Sequence, residues 1–326
     1  MADSAASPTM SNRAGGGKEP ARRSTAATPT GSSGAESLAQ IKANEQGSAP
    51  VWLITGCSAG FGRALVDAAL ARGDRVVATA RRTETIAELA GNRVLVVALD
   101  VTRQDQIDAA VRAALERFGR IDVLVNNAGY STVGAVEEID MNDLRALMET
   151  TFFGAVTLTK AVLPHMRERG SGAIVQMSSQ GGQMSFAGGG AYSAAKFALE
   201  GLSEALADEV GPHGIRTLIV EPGAFRTELM SGRFHRSREI DAYANTVGQA
   251  RAYLDRAHGT QPGDPRRAAT AIIAALDASD PPLRLALGAD AVDAIRAKHE
   301  RLRADLDEWE SVSRATAFDS EAPSSA

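Results

Sequence analysis

The sequence predicts an α/β fold in which helices cover both faces of a doubly wound parallel sheet within a single domain. Two observations support this prediction. From Pro50 onward, short runs of β-branched residues alternate with helical patterns, which is typical of βαβ units. The chain also has 326 residues, of which 44% are apolar, enough for one full-sized core with terminal extensions.

Strands are predicted where a short β-branched or apolar run is bounded by turn-forming residues. In chain order, these runs are Val51–Thr55, Arg75–Thr79, Val94–Leu99, Ile121–Val125, Ala173–Met177, Ile215–Val220 and Leu283–Leu287. Because most of them are apolar throughout rather than alternating, they indicate strands that are buried on both faces.

Helices are predicted where apolar residues recur with helical spacing, and several of these patterns end at a glycine. The predicted helices are Phe61–Arg72, Gln104–Phe118, Met141–Arg169, Ala191–Val210, Pro265–Leu276 and Asp290–Glu310. Pro164 predicts a kink or a weakened last turn in the third of them, because proline removes a helical hydrogen bond.

Residues 1–48 differ in composition, being rich in Ala, Ser, Gly, Thr and Pro and nearly free of large apolar side chains. Such a segment cannot bury enough surface to offset its ordering entropy, which predicts a disordered tail. Its arginines and serines leave an organelle transit peptide as an alternative. The folded domain is expected over 49–290, with a polar lid at about 228–258, followed by a helix and tail over 291–326.

The overall charge and the cysteine content exclude several classes of protein. With a net charge of −5, the composition does not indicate a nucleic-acid-binding face. Cys57 is the only cysteine, so no internal disulfide can form, which fits a reducing, cytoplasmic location. No apolar run approaches the roughly 18 residues that suggest a membrane span, and the five histidines show no metal-ligand spacing.

A glycine-rich turn follows the first strand, Thr55-Gly56-Cys57-Ser58-Ala59-Gly60-Phe61-Gly62. Glycines permit a tight turn and let the backbone approach a pyrophosphate, which rests on the N-terminus of the next helix. Because the turn lies between a buried strand and a helix, it predicts a Rossmann-type dinucleotide site. The alternative is a tight turn that binds nothing. Cys57 is interpreted as a small loop side chain without a redox role.

The end of the second strand bears on the choice between NAD and NADP. An acidic residue there would bind the ribose hydroxyls and select NAD. This chain has Ala80 at that place, followed by Arg81 and Arg82. A guanidinium can bind a 2′-phosphate through two hydrogen bonds, so we expect NADP, with NAD as the alternative and Arg81 as the first candidate. Both arginines could instead be solvated surface charges.

Asp100-Val101 follows the third strand directly. A carboxylate at this end of a strand can accept a hydrogen bond from the adenine amino group. Asp100 could equally cap the following helix, and the sequence does not separate the two interpretations.

Tyr192 and Lys196 stand four positions apart in a predicted helix, and Ser179 ends the preceding strand-like run. Residues i and i+4 lie on one helical face, so the phenol and the ammonium are expected side by side. A nearby ammonium lowers the pKa of a phenol, which lets a tyrosine exchange a proton at working pH. Together with a dinucleotide site, this pair predicts an alcohol–carbonyl oxidoreductase.

These motifs resemble the short-chain dehydrogenase/reductase family over about residues 50 to 287. Their order and spacing are highly specific, including the three residues between the first two glycines of the turn. The resemblance also rests on two further segments, Asn126-Asn127-Ala128-Gly129 and Pro222-Gly223 with Thr227. The family resemblance implies a nicotinamide cofactor, a small carbonyl or alcohol substrate, and a homodimer or homotetramer that pairs through the helix beginning near Ala191.

The resemblance also implies roles for individual residues. Tyr192 would be the catalytic acid/base, Lys196 would lower its pKa and bind the nicotinamide ribose, and Ser179 would bind the substrate oxygen. The family spacing favours Ser179 over Ser178. The residues implied to line the cofactor are Asn127, Ala128, Gly129, Pro222, Gly223 and Thr227.

One position departs from the family pattern. Thr151 stands where the family usually has an asparagine that takes part in a proton relay. This substitution leaves a non-catalytic, cofactor-binding sensor or scaffold as the alternative function. An apolar substrate wall is expected from Met184, Phe186 and Phe225, although these residues could equally be core.

Overall fold

A computed structural model describes residues 49–228, 235–257 and 259–318, and the tail predicted over 1–48 lies outside these residues. The described strands are β1 Val51–Ile54, β2 Arg75–Ala80, β3 Val94–Ala98, β4 Val123–Asn126, β5 Thr132–Val133, β6 Gly172–Met177, β7 Ile215–Pro222, β8 His235–Arg236 and β9 Arg284–Leu287. Seven of them form one parallel sheet with the order β3-β2-β1-β4-β6-β7-β9. All seven predicted strands are therefore present.

The described helices are α1 Gly60–Ala71, α2 Gln104–Phe118, α3 Met141–Met148, α4 Gly154–Arg169, α5 Gly190–Val210, α6 Val247–Ala257, α7 Pro265–Asp277 and α8 Ala289–Arg314. They cover both faces of the sheet, and strand β1 shows how. Its Trp52 and Ile54 lie in a core cluster with α1 and α7. Val51 and Leu53 point the other way, into a cluster with α2, α4 and α5. Alternate side chains of a strand point to opposite faces, so both faces are buried.

The strand order determines where a ligand can bind. From β1 the chain moves to β2 on one side of the sheet and later to β4 on the other side. The loops that leave the carboxyl ends of β1 and β4 therefore diverge and open a crevice, which is where open α/β sheets bind their ligands.

The predicted helix Met141–Arg169 is interrupted, although not at Pro164. A π-helical segment, Glu149–Phe153, separates α3 from α4, and Pro164 lies inside α4. Pro164 removes one backbone hydrogen bond from α4 but does not end the helix. A π-helical turn often marks a functional site. Glu149 and Thr150 of this segment line the cleft at the carboxyl ends of the strands, whereas Thr151 is buried.

The same stretch is long and apolar enough, by length and composition, to cross a membrane, with a mean hydropathy of 1.2 over 18 residues. One such helix among the described residues is weak evidence for a membrane span. Core helices pass the same test, and Leu147, Leu158 and Val162 of this stretch are fully buried inside the domain.

The polar region expected to form a helical lid contains α6 and a short 3₁₀ turn, Asp241–Tyr243, while residues 229–234 and 258 lie outside the described residues. It also contains β8, which the sequence did not predict and which pairs with β5. Buried Glu138 anchors this region: its carboxylate accepts a hydrogen bond from the Ile240 amide at 2.8 Å and pairs with Arg251 at 2.6 Å.

Candidate active site

A cleft of about 850 Å³ opens at the carboxyl ends of the strands. Most of the residues that the sequence singles out line it, although they come from separate parts of the chain. They are Gly56, Ser58, Gly60, Phe61, Arg81, Asp100, Val101, Asn127, Ala128, Gly129, Ser179, Tyr192, Lys196, Pro222, Gly223 and Thr227. Three predicted cofactor residues, Cys57, Gly62 and Arg82, do not line the cleft.

The glycine-rich turn has the geometry that a pyrophosphate site requires. Gly56 and Gly60 have φ angles of +71° and +59°, which L side chains rarely adopt. The turn leads into the N-terminus of α1, whose first turn carries no acidic residue, so the exposed amides and helix dipole favour an anion there. These features fit the phosphates of a dinucleotide.

Gly62 supports this turn from beneath rather than lining the cleft. A Cβ atom at this position would lie 2.4 Å from the Gly56 carbonyl oxygen and 2.6 Å from the Asn127 amide nitrogen. The Asn127 side chain in turn donates to the carbonyl of Thr55 at 2.7 Å. Asn127 therefore ties the β4 loop to the turn, which explains why both segments must be closely packed.

Cys57 is also directed away from the cleft. Its side chain is fully buried in the core, and its Sγ atom lies 3.1 Å from the Ile54 carbonyl oxygen. Burial raises the pKa of this thiol to about 12. The side chain therefore stays a neutral thiol, as expected for a residue without a redox role, and only its backbone belongs to the turn.

At the far end of the cleft, Arg81 and Asp100 line the wall while Arg82 does not. The Asp100 carboxylate accepts hydrogen bonds from the amide and the hydroxyl of Thr102, at 3.0 and 2.8 Å. The N-cap of α2 is Arg103, so the interpretation of Asp100 as the helix cap is wrong. Its carboxylate is instead held by a local turn and faces the cleft.

Ser179, Tyr192 and Lys196 converge at the other end. Ser179 ends the loop after β6, and its hydroxyl hydrogen-bonds to Tyr192 and accepts from the Gly181 amide at 3.0 Å. The Lys196 ammonium lies 5.7 Å from the centre of the Tyr192 ring and donates to the Met177 carbonyl at 2.6 Å. A serine, a phenol and an ammonium thus share one wall of the cleft.

Burial determines the protonation of this group. It raises the pKa of Tyr192 to about 12, against the opposing effect of the Ser179 hydrogen bond. It also lowers the pKa of Lys196 to about 8, against the opposing charge of Glu200. The expected lowering of the tyrosine pKa by the ammonium is therefore not found, because loss of water penalises both charged forms.

Sequence reasoning missed a buried acidic cluster behind Lys196. Glu200 and Glu221 are 4% and 2% exposed, and Arg284 contacts both carboxylates, at 2.9 and 3.1 Å. Burial and the neighbouring Glu200 charge raise the pKa of Glu221 to about 7. The one available sequence signal was the position of Glu200, four residues after Lys196 and hence on the same helical face.

Ser178, which lines the cleft, and Thr151 are both buried polar residues. Among the described residues, neither hydroxyl has a hydrogen-bond partner. Thr151 is 2% exposed, and a Cβ atom added to Gly129 would lie 3.6 Å from its hydroxyl. Ser179 interacts with Tyr192, and both serines line the cleft, so the choice of Ser179 over Ser178 stays a prediction.

The apolar wall expected from three residues is present only in part. Phe225 lines the cleft and packs on Phe61, with ring centres 5.1 Å apart. Met184 and Phe186 do not line it, and Phe186 is 51% exposed. The cleft is lined by further residues that the sequence did not identify, among them Tyr130, Glu149 and Thr150.

Comparison with known proteins agrees with this geometry. Residues 50–238 match the family model for short chain dehydrogenase. Oxidoreductase BOA17 of Botryotinia fuckeliana (strain B05.10) is 41% identical over 271 residues, covering 82% of this chain and 99% of that protein.

Solved structures are similar along most of their length. The crystal structure of a short-chain dehydrogenase from Streptomyces avermitilis has a TM-score of 0.78 and 54% identity, covering 83% of this chain and 100% of that one. A short chain dehydrogenase from Burkholderia cenocepacia J2315, in complex with NADP, has a TM-score of 0.63 and 27% identity, covering 79% and 98%. Because the family model matches more than half of the sequence, this chain belongs to the short-chain dehydrogenase/reductase family of oxidoreductases.

Proposed function

We propose that the protein is an NADP-preferring oxidoreductase that transfers a hydride between a nicotinamide cofactor and a carbonyl or alcohol substrate. One observation carries this proposal. Ser179, Tyr192 and Lys196 share a wall of the same cleft whose other end is a glycine-rich turn at a helix N-terminus. A proton-transferring group beside a dinucleotide site is the arrangement that this reaction needs.

The residues that would hold the cofactor follow from the cleft. The turn over Gly56, Ser58 and Gly60 would bind the pyrophosphate, and Asp100 would accept from the adenine amino group. The nicotinamide end would be held by Asn127, Ala128, Gly129, Pro222, Gly223 and Thr227, with Lys196 on the ribose. When bound, the cofactor would supply or accept the hydride.

Side chains of the protein would then transfer the proton that accompanies the hydride. Because Tyr192 is a neutral phenol over the working pH range, it can donate a proton to a substrate oxygen during carbonyl reduction. Ser179 is placed to hydrogen-bond the same oxygen, which stabilises the charge that develops there. Lys196, anchored on the Met177 carbonyl, would favour the phenolate that the transfer leaves behind.

The preference for NADP rests on Arg81, which is exposed at the end of β2 and lines the cleft where no acidic side chain follows Ala80. A guanidinium there suits a 2′-phosphate. Similar proteins have been solved with NADP, from Burkholderia cenocepacia, and with NADH, from Brucella melitensis, so they support a nicotinamide dinucleotide and leave the choice to Arg81. Binding of NAD is the alternative.

The proposal also covers the substrate class, the oligomeric state and the location of the enzyme. The substrate is a small carbonyl or alcohol compound, and nucleic acid is not among the partners. A homodimer or homotetramer through α5 is supported by the family, and by Phe197, which is 46% exposed on that helix. A cytoplasmic location is supported by the single, buried cysteine.

The decisive experiment follows NADPH oxidation with a panel of aldehydes and ketones, in the wild type and in Tyr192→Phe. The variant should retain NADPH binding, measured by fluorescence, and lose activity by about 10²–10⁴-fold, the usual contribution of a positioned acid. Tyr253→Phe, at a tyrosine that is 54% exposed on α6, is the matched control and should keep full activity.

Two results would reject the proposal. An unchanged rate in Tyr192→Phe would show that another group handles the proton. Tight NADPH binding without turnover of any compound would favour the non-catalytic alternative, which rests on Thr151 in place of the family's usual asparagine.

A further inference from the structure

Two buried carboxylates lie behind the wall of the cleft that carries Lys196. Glu200 is on α5, one helical turn after Lys196, and Glu221 directly precedes Pro222, which lines the cleft. The two glutamates are 4% and 2% exposed. Burying a charge is costly unless it is paired, so the groups around these side chains determine which protonation state they adopt.

The two carboxylates compete for the same hydrogen-bond donors. The Arg284 Nε atom, which carries one hydrogen, lies 3.1 Å from an oxygen of each carboxylate. The Gln183 amide nitrogen lies 2.8 Å from Glu221 and 3.4 Å from Glu200. The Arg284 guanidinium also pairs with the exposed Glu204, at 2.8 Å. One guanidinium therefore faces three carboxylates, which leaves an excess of negative charge at a buried place.

A single proton on the buried pair removes this excess. The side chains of Glu200 and Glu221 lie within hydrogen-bonding reach of each other, and a hydrogen bond between two carboxyl groups requires one of them to be protonated. The Oε1 atom of Glu200 is buried, and no donor among the described residues contacts it. Burial and the Glu200 charge raise the pKa of Glu221 to about 7, which agrees with a proton held by the pair.

Three further titratable groups face the pair from α5 and α8. The Lys196 ammonium donates to the Met177 carbonyl at 2.6 Å, and the His299 ring lies 3.3 Å from the side-chain oxygen of Gln183. Asp290, at the start of α8, accepts from the Ala224 amide at 2.7 Å. Lys196 and His299 therefore direct these polar atoms to neutral partners, and Asp290 adds negative charge.

The groups that meet at this pair also support the cleft. Gln183 follows the 3₁₀ turn Gln180–Gly182, which is capped by the Ser179 hydroxyl. Glu221 precedes Pro222, whose carbonyl oxygen lies 3.4 Å from the same hydroxyl. The hydrogen bond from Gln183 to Glu221 thus joins the loop after β6 to the loop after β7, directly behind the cleft.

We propose that Glu200 and Glu221 share one proton at neutral pH, and that this proton keeps the loops after β6 and β7 in the positions that shape the cleft. When the proton leaves, two adjacent buried charges repel each other and their shared donors can satisfy only one of them. Both loops should then loosen. Glu200, Glu221 and Gln183 act through other residues and are therefore positioning residues. Any effect on cofactor binding rests on the proposed function, so the test uses the free protein.

The first measurement compares urea unfolding of the wild type with that of Glu221→Gln, whose amide can donate a hydrogen bond to Glu200 without titrating. A carboxyl whose pKa is raised on folding stabilises the protein fully below its usual value of 4.5, and this stability is lost as pH rises through about 7. From pH 5.0 to 7.5, the unfolding equilibrium constant of the wild type should therefore rise by about tenfold or more relative to that of the variant.

The matched control is Glu204→Gln, which removes an exposed partner of Arg284. Its stability should follow the pH dependence of the wild type. His299 is present in all three proteins, so its titration cancels in the comparison.

Hydrogen exchange followed by mass spectrometry tests whether the proton holds the two loops. At pH 7.5, residues 178–186 and 219–227 should exchange about tenfold faster in the wild type than in Glu221→Gln, over times too short for global unfolding to contribute. At pH 5.0 the two proteins should exchange equally there. Helix α2, which packs on the other half of the sheet, should exchange equally at both pH values.

Gln183→Met provides a second variant. It removes the bridging amide and keeps both carboxylates, so residues 219–227 should exchange faster than in the wild type already at pH 5.0. Exchange equal to that of the wild type would overturn the bridging role of Gln183.

Three other results would overturn the proposal. The same pH dependence of stability in the wild type and Glu221→Gln would exclude the shared proton. Equal shifts in Glu204→Gln and Glu221→Gln would assign the effect to Arg284. A stability difference without faster exchange in either loop would exclude the positioning role. Because these measurements use neither cofactor nor substrate, a failure of the proposed function would not change their outcome.

Discussion

The two ends of the cleft differ in how far their charged side chains are exposed to water. At the catalytic end, Tyr192 and Lys196 are held by buried elements, and loss of water shifts both of their pKa values toward the neutral forms. At the opposite end, Arg81 is an exposed charge on a loop, and the Asp100 carboxylate is oriented by two hydrogen bonds from Thr102. The proposed proton transfer is therefore assigned to a buried, dry end of the cleft, and the proposed selection of NADP to an exposed, wet end.

This difference determines how strongly each end should respond to mutation. Water does not reach a buried proton donor, so it cannot replace that donor when it is removed. The free energy of the transition state then rises by the full contribution of the donor. An exposed guanidinium gives up hydrogen bonds to water when it binds a ligand. Its net contribution to binding free energy is therefore smaller than that of a buried catalytic group to the reaction barrier.

Lys196→Met tests the dry end. The change keeps the length of the side chain but removes the ammonium and its hydrogen bond to Met177. We expect kcat/KM for carbonyl reduction to fall by about 10²–10³, comparable to the loss of one preorganised donor. A fall of less than tenfold in steady-state assays would contradict the view that the ammonium supports Tyr192.

Arg81→Ala tests the wet end. If Arg81 binds the 2′-phosphate, its loss should weaken NADPH binding by about 1.5–3 kcal/mol, the contribution of a hydrogen bond to a charged group, and leave NADH binding nearly unchanged. Fluorescence titration with both cofactors measures this. The control is Arg82→Ala, which removes a charge outside the cleft lining and should change affinity by less than about 0.5 kcal/mol. Similar losses in both variants would assign the effect to general charge.

Gly62→Ala tests the turn that joins the two ends. The added methyl group would overlap the Gly56 carbonyl, which should destabilise the domain by about 1–3 kcal/mol and weaken binding of both cofactors. Gly201→Ala, in α5, is the matched control because its Cβ meets nothing within 4 Å. It should stabilise the helix by about 0.5–1 kcal/mol. Urea unfolding of the two variants should thus give opposite signs.

Glu200→Gln gives the smallest effect and concerns pH. The Glu200 charge raises the pKa of Lys196 and so opposes the larger effect of burial. Without that charge the pKa falls, and since the ammonium is charged only below its pKa, the alkaline limb of activity should move to lower pH. At pH 7 the rate should change by less than about tenfold, or 1.4 kcal/mol.

The control for this pH shift is Glu204→Gln. Glu204 also binds Arg284, at 2.8 Å, but it is 56% exposed and lies eight positions from Lys196. Its pH profile should match that of the wild type. An equal shift in both variants would attribute the effect to Arg284 rather than to the charge beside Lys196.

Much of the site could be predicted because its parts are local. The glycine turn, the Tyr192–Lys196 spacing and the arginine after Ala80 each use a few consecutive residues whose geometry follows from one strand or one helix. The errors arose where two distant segments meet. The direction of Cys57 and the absence of Phe186 from the cleft depend on packing that no short segment specifies.

By itself, the sequence determined the parallel α/β sheet, the order of the strands and helices, and which side chains are candidates for the reaction, because periodicity and short motifs express them directly. Only the tertiary structure decided the environment of those groups. Burial of Tyr192 and Lys196, the acidic cluster of Glu200 and Glu221, and the interruption at Thr151 arise from contacts between segments far apart in the chain. The whole fold excludes water from Tyr192 and Lys196. The pKa values of these two residues depend on that loss of water more than on their spacing in the sequence.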